Sequence, residues 1–544
     1  VIVSNGTPET EERKGVTLMS WFESISMTTM IVILALVIVP MVILLYLFLF
    51  DRKQKQHAIL RNYPILGRVR YMIEKVGPEF RQYLFDSDNE GKPFSREEYL
   101  HMVMPGKYLN SVIGFGSKRD FEAPGYYLRN AMFTKQNEEM RVDNETKVET
   151  MRYVVNDEGL FSRKEHREDI SANPWLLPDE DAVVIGPDCT HPFRVRSLLG
   201  QSAMSYGALG DHAITALSKG IGMATGAWMN TGEGGLSPHH LAGDAEIIAQ
   251  IGSGLFGFRT PEGEFDWSLL TEKAENPKVR AFELKLAQGA KMRGGHVEGA
   301  KVTEEIAKIR NVVPFTTINS PNRFRQFDDF PGLFDFIGKI RDHSGKPVGI
   351  KIVIGGKDDA EELAQYMKET GQGPDFISID GAEGGSGATY QDLADSVGLP
   401  VRSALMLLDD ALRHHGVRDR VKIIASGKMT TPDKAAIALA MGADLVQVAR
   451  GFMISVGCIM AQRCHTNECP AGVATTDPHL QRGLVVEEKK FRVTNYILTM
   501  REGLFRIAAA AGLDSPTKLT RDYVFYKDER GNVTPVQSPK TSNK

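Results

Sequence analysis

The chain has 544 residues, 42% hydrophobic and 25% charged, with 65 Lys+Arg against 69 Asp+Glu and a formal net charge of −4. This globular composition excludes disorder across the whole chain and a polytopic membrane protein, and the near-neutral charge leaves no global electrostatic case for nucleic-acid binding. Four Cys are too few for a disulfide scaffold of this length, yet three of them crowd between Cys458 and Cys469.

In chain order, the first strong signal is MIVILALVIVPMVILLYLFLF, Met30 to Phe50, which carries no charge. At about 1.5 Å per residue a helix of this length spans roughly 30 Å, the thickness of a hydrocarbon core. Pro40 would kink such a helix, which membranes tolerate. A cleaved signal peptide is the rival reading, but the apolar run is too long and no A-x-A-like site follows. Arg52, Lys53, Lys55, Arg61, Arg68 and Arg70 follow the run, and only Arg13 and Lys14 precede it. The positive-inside bias therefore predicts a single-pass anchor in the cytoplasmic membrane, with residues 1–29 outside, 30–50 across, and everything after 50 in the cytoplasm.

Residues 51–190 are mixed and polar and read as a juxtamembrane and cap region. The stretch Asp86 to Glu98 reads as a loop, and 105–133 is rich in Gly and aromatics without a clear period. From about Arg194, short β-branched runs alternate with amphipathic helical stretches. The predicted strands are 197–205, 226–230, 281–287, FTTIN (315–319), 348–354, 376–380, 421–426 and 445–449, with an insertion containing IAQIGSGLFGFRTPEGEFDWSLL between the second and third. Eight βα units predict an α/β fold, a TIM (β/α)8 barrel over 191–489, with a doubly wound sheet as the alternative. Residues 490–544 read as a helical extension and a polar tail, with NVTPVQSPKTSNK (532–544) disordered.

In such a barrel the chemistry sits at the C-terminal ends of the strands. There the sequence places Ser426-Gly427-Lys428, Ala449-Arg450-Gly451 and Asp380-Gly381-Ala382-Glu383-Gly384-Gly385-Ser386-Gly387. Glycines at these turns let backbone N–H groups approach an anion, and the loops after strands 7 and 8 form the usual phosphate site of the fold. ASGKMTTPDKAAIALAMGADLVQVARG is similar to the corresponding segment of FMN-dependent barrel oxidoreductases. Lys351 would point into the barrel, either toward a flavin or paired with Asp380. Met204 and Ser205 end the first strand, where backbone groups can meet a flavin edge. Glu233 stands between glycines in NTGEGG; it orients a substrate nitrogen, communicates with a metal cluster, or is a surface residue. ELKLAQGAK carries Lys285, Gln288 and Lys291 to a strand end. Lys291 and Arg310 can pair with a dicarboxylate, and Arg310 has an equally good role at a helix end. Cys458-x5-Cys464-x4-Cys469-Pro470 has the wrong spacing for a zinc knuckle and suits an iron–sulfur loop.

Six segments together resemble the FMN-binding synthase domain of glutamate synthase, and most closely the stand-alone glutamate-synthase-like proteins of bacteria. They are SAMSYGALG, NTGEGGLSPHH, QIGSGLFGFR, ELKLAQGAK, DGAEGGSGAT and GCIMAQRCHTNECPAGVATTDP. The resemblance implies FMN held by Met204, Ser205, Gln288, Lys351, Asp380, Gly384, Gly385, Gly427, Arg450 and Gly451. It implies a [3Fe–4S] cluster on Cys458, Cys464 and Cys469, and catalytic roles for Glu233, Lys291 and Arg310 around 2-oxoglutarate and ammonia on the way to L-glutamate. An external electron donor is expected: a ferredoxin, an NAD(P)H-dependent partner or a quinone-linked carrier. No amidotransferase pattern is visible, so nitrogen is expected as free ammonia or from a separate glutaminase subunit. Two loops depart from the family pattern. K-P-G-x-G-G-Q becomes Lys291-Met292-Arg293-Gly294-Gly295-His296, and S-P-P-P-H-H-D becomes Ser320-Pro321-Asn322-Arg323-Phe324-Arg325. The alternative activity is an FMN-dependent dehydrogenase of a 2-hydroxy or amino acid, with a base drawn from His239, His240 or His296.

Overall fold

The computed structural model describes residues 9–159, 161–289, 295–387 and 389–537. It divides into two compact units, Val1–Ser87 and Asp88–Lys544.

In the first unit the helix Glu9–Lys53 contains the candidate span Thr29–Lys53, whose most apolar 18 residues have a mean hydropathy of 3.2, none of them buried. Among the described residues it is the one helix long and apolar enough to cross a membrane. A short helix, Ala58–Asn62, leads into a second amphipathic one, Leu66–Phe80.

The second unit is built around a closed barrel of eight parallel strands: β1 Leu199–Gln201, β2 Trp228–Asn230, β3 Glu246–Ile251, β4 Val279–Lys285, β5 Val348–Ile352, β6 Phe376–Asp380, β7 Lys422–Ser426 and β8 Leu445–Val448. They follow one another around the barrel in chain order, and β8 closes on β1 through Val446 opposite Leu199. The (β/α)8 expectation therefore holds, as does the strand count, but one member was misplaced. FTTIN contributes only Ile318–Asn319, a two-residue strand paired antiparallel with His296–Val297 outside the barrel. Phe315 there has φ 55° and is exposed, so β-branched composition alone does not make a strand. The missed strand is β3, which lay inside the expected insertion. Glu246 and Gln250 interrupt its apolar run, but it alternates with period 2: Ile247, Ala249 and Ile251 share one face and Ile248 and Gln250 the other.

Helices cover the barrel, among them Asp211–Ala224, Phe330–Ser344, Lys357–Thr370, Val401–His414 and Pro432–Ala440. The helix Arg96–Tyr108 starts at a capping box, in which Ser95 accepts the Glu98 N–H and Glu98 accepts the Ser95 N–H. A long helix, Val486–Ala510, packs on Asp211–Ala224. Gly220 allows the approach, since a Cβ there would lie 2.4 Å from the Lys490 carbonyl. Arg501, fully buried on this helix, donates to Ser197 Oγ and to the carbonyls of Pro174, Ala224 and Thr225. The tail expected to be disordered forms a strand, Val533–Pro535, on Val524–Lys527, which pairs in turn with Gly125–Leu128. The rest of that tail, 538–544, lies outside the described residues.

Candidate active site at the barrel mouth

Side chains alternate along each strand, so register carries orientation around the barrel. Glu283 on β4 accepts from Asn230 Nδ2 (2.8 Å), Gln250 Nε2 (2.6 Å) and, across the lumen, Ser378 Oγ (2.5 Å). These four side chains therefore point inward. Ser378 lies opposite Lys351, Asp380 opposite Ser426, and Ser426 opposite Gln447. Seven of the eight strands thus turn a buried polar residue inward near their C-terminal ends. One layer below, Trp228, Ile248, Ala281, Phe376, Ile424 and Leu445 fill the interior. On β1 the inward position is Gly200, and a Cβ there would lie 2.1 Å from the Trp228 indole.

The polar layer sorts into an ion pair, a hydrogen-bonded carboxylate and orphans. Lys351 Nζ lies 3.2 Å from Asp380 Oδ2, both side chains almost fully buried, and the same Oδ2 accepts the Gly289 N–H at 3.0 Å. Gln288 is the residue before that N–H, which brings it to the same rim. Gln447 is buried with neither amide atom partnered, and Gln250 Oε1 is also unpartnered, among the described residues. Each such orphan costs about 1–3 kcal/mol unless something else meets it. The Gln447 amide offers one donor and one acceptor side by side, which suits the edge of a planar heterocycle that alternates N–H and C=O.

The glycine loops lie above this layer. Near Gly384 the first atoms a Cβ would meet are backbone atoms of Gly381 and Gly289, at 3.3 Å or more, and near Gly385 only Arg450 Nη2, at 3.6 Å. Gly427 has φ 152°. Gly451 has a packing reason of its own: a Cβ would sit 2.2 Å from the Tyr496 hydroxyl. Glu383 caps the helix Val401–His414 by accepting the Val401 N–H, and burial raises its carboxyl above the ordinary value.

A second corner holds Glu233. Its carboxylate pairs with Lys285 at 2.9 Å, and a Cβ on Gly252 would lie 2.7 Å from Glu233 Cβ. The turn Gly232–Gly235 packs on the backbone of Met204 and Ser205. Arg310, the last residue of the helix Glu304–Arg310, is buried below it, donates to the Tyr206 carbonyl at 2.8 Å and stands 5.5 Å from the Phe256 ring. Burial pulls its guanidinium down to about 10, and the nearby Glu233 opposes the shift. Met204, Ser205, Glu233 and Arg310 therefore share one corner, together with Lys285. Sequence reasoning noted Lys285 without assigning it a role, and its signal was a second buried charge, two residues after Glu283, at the end of a strand. Lys291 lies outside the described residues.

The histidines are engaged elsewhere. His240 is fully buried; its Nδ1 accepts the Ser237 N–H and its Nε2 donates to the Met204 carbonyl, and burial lowers it to about 4. His239 meets Glu305 at 3.0 Å, and Tyr206 donates to the same carboxylate at 2.6 Å. His296 contacts Asn319 and Glu298.

The three cysteines lie on the irregular segment after the helix Arg450–Val456. Cys458 Sγ accepts the Met460 N–H at 3.4 Å, and Cys464 Sγ accepts from Arg450 Nη1 at 3.8 Å. Lys301, buried beneath, donates to the carbonyls of Cys464 (2.7 Å) and Ala474 (3.1 Å). A Cβ on Gly387 would lie 2.9 Å from Cys464 Cβ, so the glycine loop and the cysteine segment touch. Among the described residues no three His, Cys, Asp or Glu converge on a point that would hold a metal ion. A multi-iron cluster takes each thiolate on a different iron, so its ligands stand farther apart than those of a single ion. Three thiols on one loop, with N–H donors aimed at two of them, fit that donor set.

A family model described as the conserved region in glutamate synthase matches residues 132–514. The chain belongs to the glutamate synthase family. Its relatives within the family include the glutamate synthase large subunit-like protein YerD of Bacillus subtilis, 55% identical over 517 residues, covering 95% of this chain and 98% of that protein. The archaeal-type glutamate synthase [NADPH] of Thermotoga maritima is 30% identical over 359 residues, 65% of this chain and 66% of its own length. The large chain of Azospirillum brasilense glutamate synthase [NADPH] is 27% identical, and this chain spans 24% of it. Among solved structures, flavocytochrome b2 with pyruvate bound is 12% identical with a TM-score of 0.41, covering 87% of this chain and 89% of that one.

Proposed function

We propose that this glutamate-synthase-like chain is an FMN-dependent oxidoreductase that reduces a 2-imino acid, formed from a 2-oxoglutarate-like keto acid and ammonia, to an amino acid such as L-glutamate. The observation that carries this reading is the buried polar layer, with the Lys351–Asp380 pair and the orphaned Gln447 and Gln250 atoms, beside the Glu233–Lys285–Arg310 corner.

Met204, Ser205, Gln288, Lys351, Asp380, Gly384, Gly385, Gly427, Arg450 and Gly451 would hold the flavin, and Gln447 joins them. FMN bound there supplies the hydride for the imino carbon. Lys351 contributes a fixed positive charge under the mouth, and Asp380 holds it in place. Glu233 accepts from the substrate nitrogen. Lys285, Arg310 and the expected Lys291 supply the positive field that keeps two carboxylates bound. Cys458, Cys464 and Cys469 would hold a [3Fe–4S] cluster, which supplies one-electron transfer from an external donor. Ferredoxin, an NAD(P)H-dependent partner and a quinone-linked carrier all fit that role, with ammonia taken free or from a separate glutaminase chain. The apolar stretch 30–50 within the helix Glu9–Lys53 reads as a single membrane span, and the basic residues after it favour the cytoplasm for the rest of the chain.

The hydroxy-acid dehydrogenase reading needs a histidine base, and His240 does not offer one: it is fully buried with Nδ1 engaged by Ser237 and Nε2 by the Met204 carbonyl, and burial disfavours its charged form.

The test is anaerobic. Purified full-length protein in detergent is photoreduced and titrated with 2-oxoglutarate plus ammonium while flavin absorbance is followed. Reoxidation supports the reading. A colourless protein, or bleaching of the oxidised form by a 2-hydroxy acid with no reoxidation by the keto acid pair, defeats it. Cys464→Ser is expected to lose iron and keep FMN.

A further inference from the structure

We infer that the helix Leu66–Phe80 lies in the plane of the membrane surface, with one apolar stripe in the boundary between headgroups and acyl chains and its polar face toward the headgroups of a leaflet that the flanking basic residues favour as anionic. The inference rests on reading residues 30–50, within the helix Glu9–Lys53, as a membrane span. At 100° per residue, Leu66, Val69, Met72, Ile73, Val76 and Phe80 fall within an arc of about 120°. All six are exposed, Leu66 at 73% and Met72 at 60%, and Tyr83, Leu84 and Phe85 just beyond are exposed as well. Arg68, Arg70, Glu74, Lys75 and Glu79 occupy the remaining circumference. Apolar area on this scale, in one stripe, requires an occupant.

Two observations identify it as lipid. The first fixes depth. Asp51 directly follows the apolar run that ends at Phe50, and its buried carboxylate accepts the Ile65 N–H at 2.9 Å, Arg68 Nε at 2.9 Å and Arg68 Nη2 at 2.5 Å. The Arg68 guanidinium also stands 5.9 Å from the Phe50 ring. This two-pronged pair ties the start of the second helix to the residue where the span leaves the hydrocarbon, so its stripe is held at that level. The second observation is charge. Between residues 51 and 81 there are eight Lys and Arg against one Asp and two Glu, with Arg68 paired to Asp51 and Arg70 to Glu74, so the segment stays net positive and complements an anionic leaflet.

The test uses the full chain in nanodiscs of phosphatidylcholine with and without phosphatidylglycerol. Benzoylphenylalanine replaces, one at a time, Val69, Ile73, Val76, Glu74, Lys75 and, within the span, Ile38, and lipid adducts are read by mass after illumination. Positions 38, 69, 73 and 76 are expected to form adducts at least fivefold more than 74 and 75, and phosphatidylglycerol is expected to raise the yield at 69, 73 and 76 but not at 38. Adducts at 38 with none at 69, 73 and 76, or cross-links from those positions into the catalytic unit, overturn the inference and leave the span standing. No adduct at 38 removes the span, and the inference with it. Equal yields with and without phosphatidylglycerol overturn the anionic preference.

Discussion

Lys351→Met removes an ammonium that faces Asp380 at 3.2 Å where both side chains are less than a tenth exposed. The carboxylate keeps the Gly289 N–H at 3.0 Å but loses its counter-charge in a site from which water is largely excluded. Stranding one member of a buried pair costs about 3–5 kcal/mol. The catalytic unit, Asp88–Lys544, has about 450 residues. At ~2.1 cal/mol/K of unfolding entropy per residue, each kcal/mol is then worth about 1 °C in the midpoint. A fall of about 3–5 °C is therefore expected by differential scanning calorimetry in detergent at fixed flavin occupancy. Adding Asp380→Asn removes the stranded charge, so the double variant should regain more than half of that loss while binding FMN no better than the single one. A single-variant loss under 1 °C, or a double variant no more stable than the single, would refute the claim that Asp380 depends on Lys351.

His240 titrates near 4 in the folded protein against 6.5 when free, because burial excludes its charged form. The unfolded chain thus binds the proton first, and stability present above pH 6.5 is lost as pH falls toward 4, by roughly 3 kcal/mol at most. His240→Gln, whose amide can still donate to the Met204 carbonyl, should flatten midpoint against pH across that window, and an unchanged slope would count against the assignment. Gly200→Ala places a methyl 2.1 Å from the Trp228 indole; a loss of about 3 kcal/mol or more is expected, read as a lowered thermal midpoint by circular dichroism, and wild-type stability would contradict the inward register of β1. Arg450→Met removes the donor 3.8 Å from Cys464 Sγ. Losing ~1.4 kcal/mol of preference for the reduced form of the proposed cluster corresponds to about 60 mV in a one-electron couple, so its potential should fall by that order in a redox titration followed by electron paramagnetic resonance, with Arg450→Lys in between. An unshifted potential in Arg450→Met would separate the guanidinium from the cluster.

Much of the barrel was legible because its strands are short apolar runs set between amphipathic helices. β3 was not, because Gln250 is an inward polar residue whose partner, Glu283, lies 33 positions away in sequence. A linear reading registers such a residue as a break in hydrophobicity, whereas the folded chain uses it as half of a hydrogen bond. FTTIN shows the converse error, propensity without a partner strand in the barrel. The region before the barrel was hard to read for a related reason. The hairpin Val148–Glu158 and Arg163–Ala172 is polar along much of its length and draws its contacts from the far end of the chain, Thr150 with Asn495 and Tyr153 with Glu488. The capping box at Ser95 and Glu98 was a local signal within a stretch expected to be loop. At the site, Lys351 with Asp380 followed from strand position alone. Gln447 did not, since a single Gln in LVQVA looks the same whether it faces the lumen or a covering helix.

That inward Gln is informative because of what surrounds it. A barrel interior closed by Trp228, Ile248, Phe376, Ile424 and Leu445 already supplies a packed apolar floor. Above it, an interior selected for stability alone would continue with branched apolar side chains. Here it continues instead with Asn230, Gln250, Glu283, Lys351, Ser378, Asp380, Ser426 and Gln447, a layer that loses burial energy on almost every strand and leaves amide atoms without partners among the described residues. Glu283 and the Lys351–Asp380 pair satisfy one side of that layer internally. On the side of β8 both Gln447 amide atoms are without partners among the described residues, and on the side of β3 so is Gln250 Oε1. The Arg450 guanidinium stands between Gly385 on the glycine loop and Cys464 on the cysteine segment, so it links the mouth of the barrel to the three thiols.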